Sequence, residues 1–496
     1  MAKKLKKVSF DESLLKKKPF IRSINQDYIN SYRSQRMVYS NELIDTRTPS
    51  ARFKIVTQDQ LLAELDPRSH AINDRILYPN KRVKEKREIN GETVEYYRET
   101  EISRIAIPLQ FTIATRQCVH LFGKSPKFTT KITNDQDHFT RFKEYWSEKS
   151  IHPALYLMAK SALTTGDGAI CFFRTADGLR YKVWSYADGD LLIPVYKKNG
   201  IDMDMFIRRY WSVQDGYDNS VETIDIYTNT TYRQLILDGN NWLEVIPETT
   251  HGFRQIPIAY HAERDAAWGV GQDLIETIEL FLSNVREASA YFDFGILFLK
   301  GDDVEVLPTK ETQGKVIISQ DPEGDAKLLE KTDMSASLKF EFEQYTKQLY
   351  LATGTVIIDL ALLKGGDQSG AYIKNLYNDA IQYALDARPR WQPVLDKIVS
   401  VVKEGLGLEE KDTLGYGSLV VISEPDIYVP MNIAEEVRLV NESLTAGAIS
   451  IETAAQTNAF ASPDEVNRLN NQKIKENGQN SSTGNNGTGN ASGATE

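Results

Sequence analysis

The chain has 496 residues, of which 41% are hydrophobic and 26% charged, and its formal net charge is −10. That is enough apolar material for roughly two to four domains, and it excludes a low-complexity or wholly disordered chain. The acidic balance argues against a protein that grips nucleic acid through a basic footprint, since each neutralised phosphate adds affinity. With only Cys118 and Cys171, a disulfide scaffold is excluded and a reducing compartment is expected. The start, MAKKLKKVSF, is basic with no apolar run after it, so no signal peptide is expected. The longest apolar run, Val356 to Leu363, is interrupted by Asp359 and too short to span a bilayer.

In chain order, residues 1–23 carry Lys3, Lys4, Lys6, Lys7, Lys16, Lys17, Lys18 and Arg22 and read as a solvated, partly disordered basic arm. Asp27 to Glu101 is polar and mixed, and helical turns and loops are expected there. Arg104 to Leu121 is apolar and helical by pattern. His138 to Leu163 is helical too, with Phe142, Trp146, Leu155 and Met158 as core. Tyr181 to Tyr260 reads as β, because YKVWSY, LLIPVY, MFIRRYW, TIDIYT, YRQLIL and IPIAY are short, aromatic and β-branched.

A helix is predicted over Gln272 to Tyr291, with Leu274, Ile278, Phe281, Leu282 and Val285 at helical spacing. A second is predicted over Ser335 to Ala352, with Leu338, Phe342, Tyr345, Leu349 and Ala352 on one stripe. Between them, Asp293 to Met334 holds the strand-like runs Ile296–Leu299 and Lys315–Ser319. Thr353 to Ser369 is a Gly-flanked loop, and Ser369 is placed to cap a helix running to about Leu385. Pro389 and Pro393 then require that helix to kink or restart. Ser418 to Val429 is strand-like, Ala434 to about Asn470 helical, and residues 477–496 lack the apolar residues needed to fold.

Several patterns imitate catalytic motifs. CVHLFGKS (Cys118–Ser125) lacks the first glycine of a phosphate-binding loop, and an apolar helix, not a strand, precedes it. Gly269-Val270-Gly271 has Leu274 where a dinucleotide fingerprint needs its third glycine. The six histidines are scattered without metal-ligand spacing, and no nucleophile elbow is present. No catalytic residue, metal or cofactor is therefore expected. Tyr181, Trp184, Tyr210, Trp211, Tyr227 and Tyr232 could stack bases, but sheet packing is the expected role.

The order IPIAYHAERDAAWGVGQDLIETIELFLSNVREASAYFDFGILFLKG, then GGDQSGAYIKNLYNDAIQYAL, resembles the portal proteins of tailed double-stranded DNA bacteriophages. RIAIPLQFTIATRQCVHLFGKSPKF, ALTTGDGAICFFR and MNIAEEVRLVNESLTAGAISIETAAQT agree with that family's N-terminal segment, Gly-containing strand entry and C-terminal helical unit. The resemblance spans roughly Arg104 to Leu469.

The resemblance implies an α+β portal fold. Its parts are a basic arm (1–23), a wing (24–260), a first stem helix (261–292), a clip (293–334) and a second stem helix (335–352). A channel loop (353–369), a long kinked wing helix with a returning strand (370–430), crown helices (431–475) and a disordered tail (476–496) follow. It implies a ring of about twelve copies at one capsid vertex, assembled in the host cytoplasm, through which the genome is packaged and later ejected. Implied partners are the terminase large subunit, a head-to-tail adaptor, major capsid and scaffolding proteins, and DNA bound without sequence preference, with no membrane. The stem would pack through Leu274, Ile278, Phe281, Val285, Leu338, Phe342, Tyr345 and Leu349, each helix laying its stripe against a neighbouring subunit. The clip would dock partners through Asp302, Asp303, Glu305, Lys310 and Lys315. Thr355, Val356, Ile357, Ile358, Asp359, Lys364 and Asp367 would line the channel. A conduit must avoid gripping DNA, which suits negative charge. The alternatives are another head–tail component, such as an adaptor or capsid-associated protein, and a nucleic-acid-processing enzyme.

Overall fold

The computed structural model describes residues 5–16, 20–23, 53–75, 78, 80–89, 92–130, 136–200, 202–214, 219–292, 296–300, 315–319, 325–329, 335–355, 377–428, 433–457 and 468. In chain order the elements are β1 (Lys6–Val8), β2 (Phe20–Ser23), β3 (Phe53–Val56), α1 (Gln58–Ala63), β4 (Lys81–Ile89), β5 (Glu92–Thr100), α2 (Leu109–Phe122) and β6 (Lys127–Thr129). Next come α3 (Gln136–Glu148), α4 (Ile151–Thr165), β7 (Asp167–Thr175), β8 (Gly178–Ser185), β9 (Leu191–Tyr196), β10 (Met203–Ser212), β11 (Val221–Tyr227), β12 (Thr231–Asp238), β13 (Asn241–Thr250) and β14 (Ile258–Ala262). They continue as α5 (Gln272–Phe292), β15 (Ile296–Lys300), β16 (Lys315–Ser319), β17 (Asp325–Leu329), α6 (Ser335–Thr353), α7 (Asn378–Glu409), α8 (Thr413–Ser418), β18 (Ile422–Glu424), α9 (Ile433–Thr445) and α10 (Ile451–Thr457). The fold is a mixed α+β one. Two units divide the chain, Met1–Ile357 with Asp379–Tyr428, and Ile358–Asn378 with Val429–Glu496. Among the described residues no helix is long and apolar enough to cross a membrane.

In the first unit the predicted β region forms an antiparallel six-stranded sheet, β1-β13-β12-β11-β10-β9, and a three-stranded sheet, β14-β7-β8. Alternation along a strand puts neighbours on opposite faces. Accordingly Phe206 and Leu192 pack toward Trp184 and Ile258, whereas Ile207 and Ile193 pack on the other face with Ile224, Leu235 and Trp242. The aromatic residues are structural as expected, except that Trp211 is exposed. Arg208 pairs with Asp190 at 2.7 Å and Asp225 at 3.2 Å, and its guanidinium lies 3.7 Å from the Tyr210 ring. A buried cation so enclosed is fully paired and not offered to a ligand.

The basic arm is not a solvated one over residues 5–16. Strand β1 pairs with β13 (Lys7↔Leu243), and Val8, Phe10, Leu14 and Leu15 cover the outer face of the large sheet. Phe10 meets Trp242 edge-on at 5.4 Å, and Trp242 Nε1 donates to Glu12 at 3.1 Å. The lysines dominate the composition and hide this apolar spacing. A second correction falls on Asp27 to Glu101, where β4 and β5 form a nine-residue antiparallel ladder (Lys81↔Thr100 to Ile89↔Glu92). Its strands are mostly charged, so no apolar alternation marks them.

The main core joins α2, α3, α4 and α7 to β7 and to the starts of α5 and the end of α6. The two predicted N-terminal helices differ from expectation in their bounds. The first begins only at Leu109, and the second is two helices, broken where Ser150 turns left-handed. Phe142, Trp146, Leu155 and Met158 are all buried. Helix α7 does not restart at its prolines. An interior proline costs about 3 kcal/mol, but one face of α7 buries Ala384, Ala387, Trp391, Leu395, Ile398 and Val402 and holds it together. The strand expected over Ser418 to Val429 shrinks to β18, because its only ladder among the described residues is with the three-residue β6 (Ile422↔Thr129 to Glu424↔Lys127), and α8 takes Ser418 at its start. In the second unit, the helix expected from Ala434 is two, α9 and α10, separated by Ala446–Ser450. Residues 477–496 lie outside the described residues.

Replacing Phe10 with alanine should lower stability by about 1–2 kcal/mol, since the ring is half-buried against Trp242. Urea unfolding followed by tryptophan fluorescence checks this. An unchanged midpoint would mean that the arm does not cover the sheet in solution.

Candidate functional site

Helices α5 and α6 form within a residue of their predicted spans and pack on each other. Ile278 and Leu349 are fully buried, and Leu274, Phe281, Val285, Leu338, Phe342 and Tyr345 are half-buried. Phe281 and Tyr345 meet edge-on at 6.2 Å. At the top of α5, a Cβ on Gly271 would lie 2.5 Å from Leu349 Cδ1, so glycine is what permits the close approach. The predicted stripe of α6 is thus covered within its own chain except at Ala352, which is exposed. Its opposite side carries Phe340, Gln344, Lys347 and Leu351 at the same steps of four, three and four, with Phe340 63% and Leu351 60% exposed.

The segment entering α2 is strapped along α5. Backbone N–H groups of Ser103, Ile105 and Ile107 donate to Glu287 Oε1 (2.7 Å), Ser283 Oγ (3.0 Å) and Glu279 Oε1 (3.0 Å). Two residues of extended chain advance about 6.8 Å and four of helix about 6.0 Å, so alternate amides meet successive turns. Glu279 is buried. Loss of solvent, with Glu276 and Glu64 nearby, pushes its carboxyl up to about 7 against the opposing Ile107 N–H. His70 Nε2 lies 3.5 Å from Glu279 Oε1, and burial holds this imidazole below its ordinary pKa. His70 Nδ1 accepts from Ile72 N at 3.3 Å, so the neutral ring carries its proton on Nε2. Gln110, 3.1 Å from that Nε2, is best oriented with its amide oxygen toward it, which partners an oxygen otherwise left alone. Glu64 in turn accepts from Trp268 Nε1 at 2.7 Å.

The end of α6 is anchored as firmly. Gln117 Nε2, from α2, donates to the Thr353 carbonyl at 2.7 Å. Gly354 adopts φ +58°, and a Cβ there would lie 2.8 Å from Tyr383 Cβ on α7. Thr355 N–H donates to Tyr350 O at 3.1 Å, and Thr355 is buried. Thr355 is therefore held in the fold at the end of α6. Val356, Ile357, Ile358, Asp359, Lys364 and Asp367 lie outside the described residues, as do Asp302, Asp303, Glu305 and Lys310. Lys315 opens β16, which pairs in parallel with β15, while β17, not foreseen, pairs antiparallel on its other side. Glu279, His70, Gln110 and Gln117 were also not foreseen. The one available signal was a glutamate set beside Ile275, Ile278 and Leu282 on the apolar side of α5.

The imitation motifs fail for local reasons. Gly123 follows the carboxyl end of α2, its N–H bound to Val119 O, so that end offers carbonyls and no amides to a phosphate. Beside Gly269 the space is taken by the Asp265 carboxylate. Burial pushes the thiols of Cys118 and Cys171 up to about 12, so they stay protonated. Among the described residues no group of His, Cys, Asp and Glu is placed to hold a metal ion.

Residues 66–479 match the family model "Phage portal protein, SPP1 Gp6-like". No curated protein sequence matches the chain. Among solved structures, the chain is similar to one in the "Neck of empty GTA particle computed with C6 symmetry", with 13% identity and a TM-score of 0.33, covering 69% of this chain and 86% of that one. It is similar also to one in the "Neck of native GTA particle computed with C12 symmetry", with 12% identity and a TM-score of 0.35, covering 71% and 88%. Both likenesses are distant.

Glu279 supplies a pH-dependent readout. Its folded pKa is raised, so its contribution to stability is complete below the ordinary carboxylate range and is lost as pH rises toward about 7. Glu279→Gln removes that titration. Relative to wild type, the variant should gain about 1–3 kcal/mol between pH 5 and pH 8. Denaturant titrations of both proteins across that range measure the difference, and a flat difference would place a charged Glu279 in the fold at both ends.

Proposed function

The chain belongs to the phage portal proteins, structural rather than enzymatic components of the virion that form a DNA channel and connector at the capsid vertex, and we propose that identical copies close into a ring of about twelve around that channel. The observation that carries the ring is the two-sided helix α6. One side is satisfied on α5, while Phe340 and Leu351 leave large apolar surface exposed on the other. A cyclic arrangement gives every copy the same neighbour, so one such face per copy is enough to close it. On this reading α5 and α6 are the stem, and the outward face of α6, not the predicted inward stripe, meets the next copy.

The sheet β16-β15-β17 then belongs to the clip (293–334), whose Asp302, Asp303, Glu305, Lys310 and Lys315 dock the terminase large subunit and later the head-to-tail adaptor. Both of its outer strands leave an edge on which a neighbour can add. Residues 24–260 form the wing with 370–430, and 431–475 the crown, facing capsid and scaffolding proteins. The loop 353–369 narrows the channel. Lys364 is its one cation against Asp359 and Asp367, with Val356, Ile357 and Ile358 before them. One weak, non-specific phosphate contact per copy, repeated around a ring, steadies DNA without reading or gripping it.

Negative-stain imaging of the purified chain should show rings with a central hole. The double substitution Phe340→Glu, Leu351→Glu should leave the circular dichroism spectrum unchanged and abolish the rings, and rings that persist would move the interface elsewhere. Lys364→Glu should keep the rings and reduce packaged or retained DNA. Normal packaging in that variant would take Lys364 out of the channel.

A further inference from the structure

Away from the helical pair, a cavity of about 210 Å³ opens where the turn between β13 and β14 meets the later part of α7 and α8. Arg254 and Gln255 line it from the turn, Ser400, Lys403 and Glu404 from α7, and Tyr416 from α8. Lys403 is half-buried and gives one N–H to the Leu419 carbonyl at 2.6 Å, leaving two. Lys397, also half-buried on α7, donates to Gln255 Oε1 at 2.7 Å, and Gln255 Nε2 passes on to Ser400 Oγ at 2.9 Å. The guanidinium of Arg174 lies beside Gly252, one of the lining residues, where a Cβ would be 3.5 Å from its Nη1.

Charge around this cavity is unbalanced. Among the described residues Glu404 is the only carboxylate lining it, and its two oxygens are engaged by the Arg254 backbone N–H and by Gln255 Nε2. Among the described residues, neither Lys397 nor Lys403 makes an ion pair, and the Glu404 carboxylate favours the charged form of Lys397 from farther away. Partial burial pushes Lys397 down to about 8 and holds Lys403 below its ordinary value. A half-buried cation without an ion-pair partner costs stability unless an anion joins it, and such a group in a cleft, here Lys403, marks a candidate binding site. This holds in a chain whose net charge is −10, so the basic cluster is local and not a general property of the surface.

We propose that this cavity binds a small tetrahedral oxyanion of the phosphate class, held by Lys403 and Arg254, with Lys397 supporting Gln255 behind them. A volume of 210 Å³ is below the roughly 300–1,000 Å³ of pockets that enclose drug-sized ligands. It is therefore of a size to enclose a phosphate group rather than a whole nucleotide. Glu404 opposes the anion and limits affinity. The site does not depend on ring closure.

Calorimetric titration of the full chain with sodium phosphate at constant ionic strength tests this. Saturable binding with one site per chain is expected. It should be weakened about tenfold or more by Lys403→Met, which removes a charge-assisted hydrogen bond, and largely kept by Lys403→Arg. Glu404→Gln should tighten it, a change that a merely structural lysine would not produce and that decides the matter even if Lys403→Met folds poorly. A short DNA duplex should not compete. Absence of saturable phosphate binding, or equal affinity in wild type, Lys403→Met and Glu404→Gln, would overturn the site. Competition by duplex with the same Lys403 dependence would overturn it too, making the cluster an open contact for backbone phosphate.

Discussion

The bonding of an extended segment to the side of a helix is the constraint on which the rest of the first unit depends. An extended chain that is not in a sheet has amides with no ladder to join, and buried amides must be partnered. Ser103, Ile105 and Ile107 find partners in Glu287, Ser283 and Glu279, one turn of α5 apart. The same chain runs directly into α2, and α2 supplies Gln117 to the end of α6. Both ends of the helical pair are thus tied to one element. The root of the segment that starts at residue 356 is fixed by the same fold that carries the large sheets.

This anchoring requires a carboxyl group in a dry place. Glu279 sits among Glu64, Glu276 and His70, where a charge is disfavoured and a neutral acid is not. Its bond to Ile107 N–H keeps it from being purely a liability. An amide in its place would make the same bond without titrating. The acid makes the grip of the strap sensitive to pH near neutrality, and this distinguishes it from the well-paired ion cluster of Arg208, Asp190 and Asp225 in the sheet.

Helix α6 shows how one sequence element serves two surfaces. Its apolar residues recur on opposite sides, Leu338, Phe342, Tyr345 and Leu349 on one, Phe340 and Leu351 on the other. A helix apolar on two sides is either inside a domain or between two bodies. Here one side is filled within the chain and the other is open to solvent, which suits a structural part built by repetition. The net negative charge fits the same role, because a conduit has to release the polymer that passes through it.

Local pattern alone determined the spans of α5 and α6, the β-rich region, the buried aromatic residues of α3 and the absence of any intact catalytic motif, while the α+β portal class came with the family resemblance. These are signals carried within a few turns or a few strands, where apolar period and breaker residues decide the outcome. Tertiary structure decided what composition obscured or what depends on residues far apart. The lysine-rich start becomes a sheet strand because Trp242, more than two hundred residues later, receives Phe10 and Glu12. Charged β4 and β5 pair without an apolar stripe to announce them. The long helix α7 crosses Pro389 and Pro393 because its buried face outweighs two missing amide bonds. Which side of α6 is free, and that Glu279, Gln117 and Thr355 are anchors, could not be read locally. A stripe states that a side chain will be buried, and only the packed chain states against what.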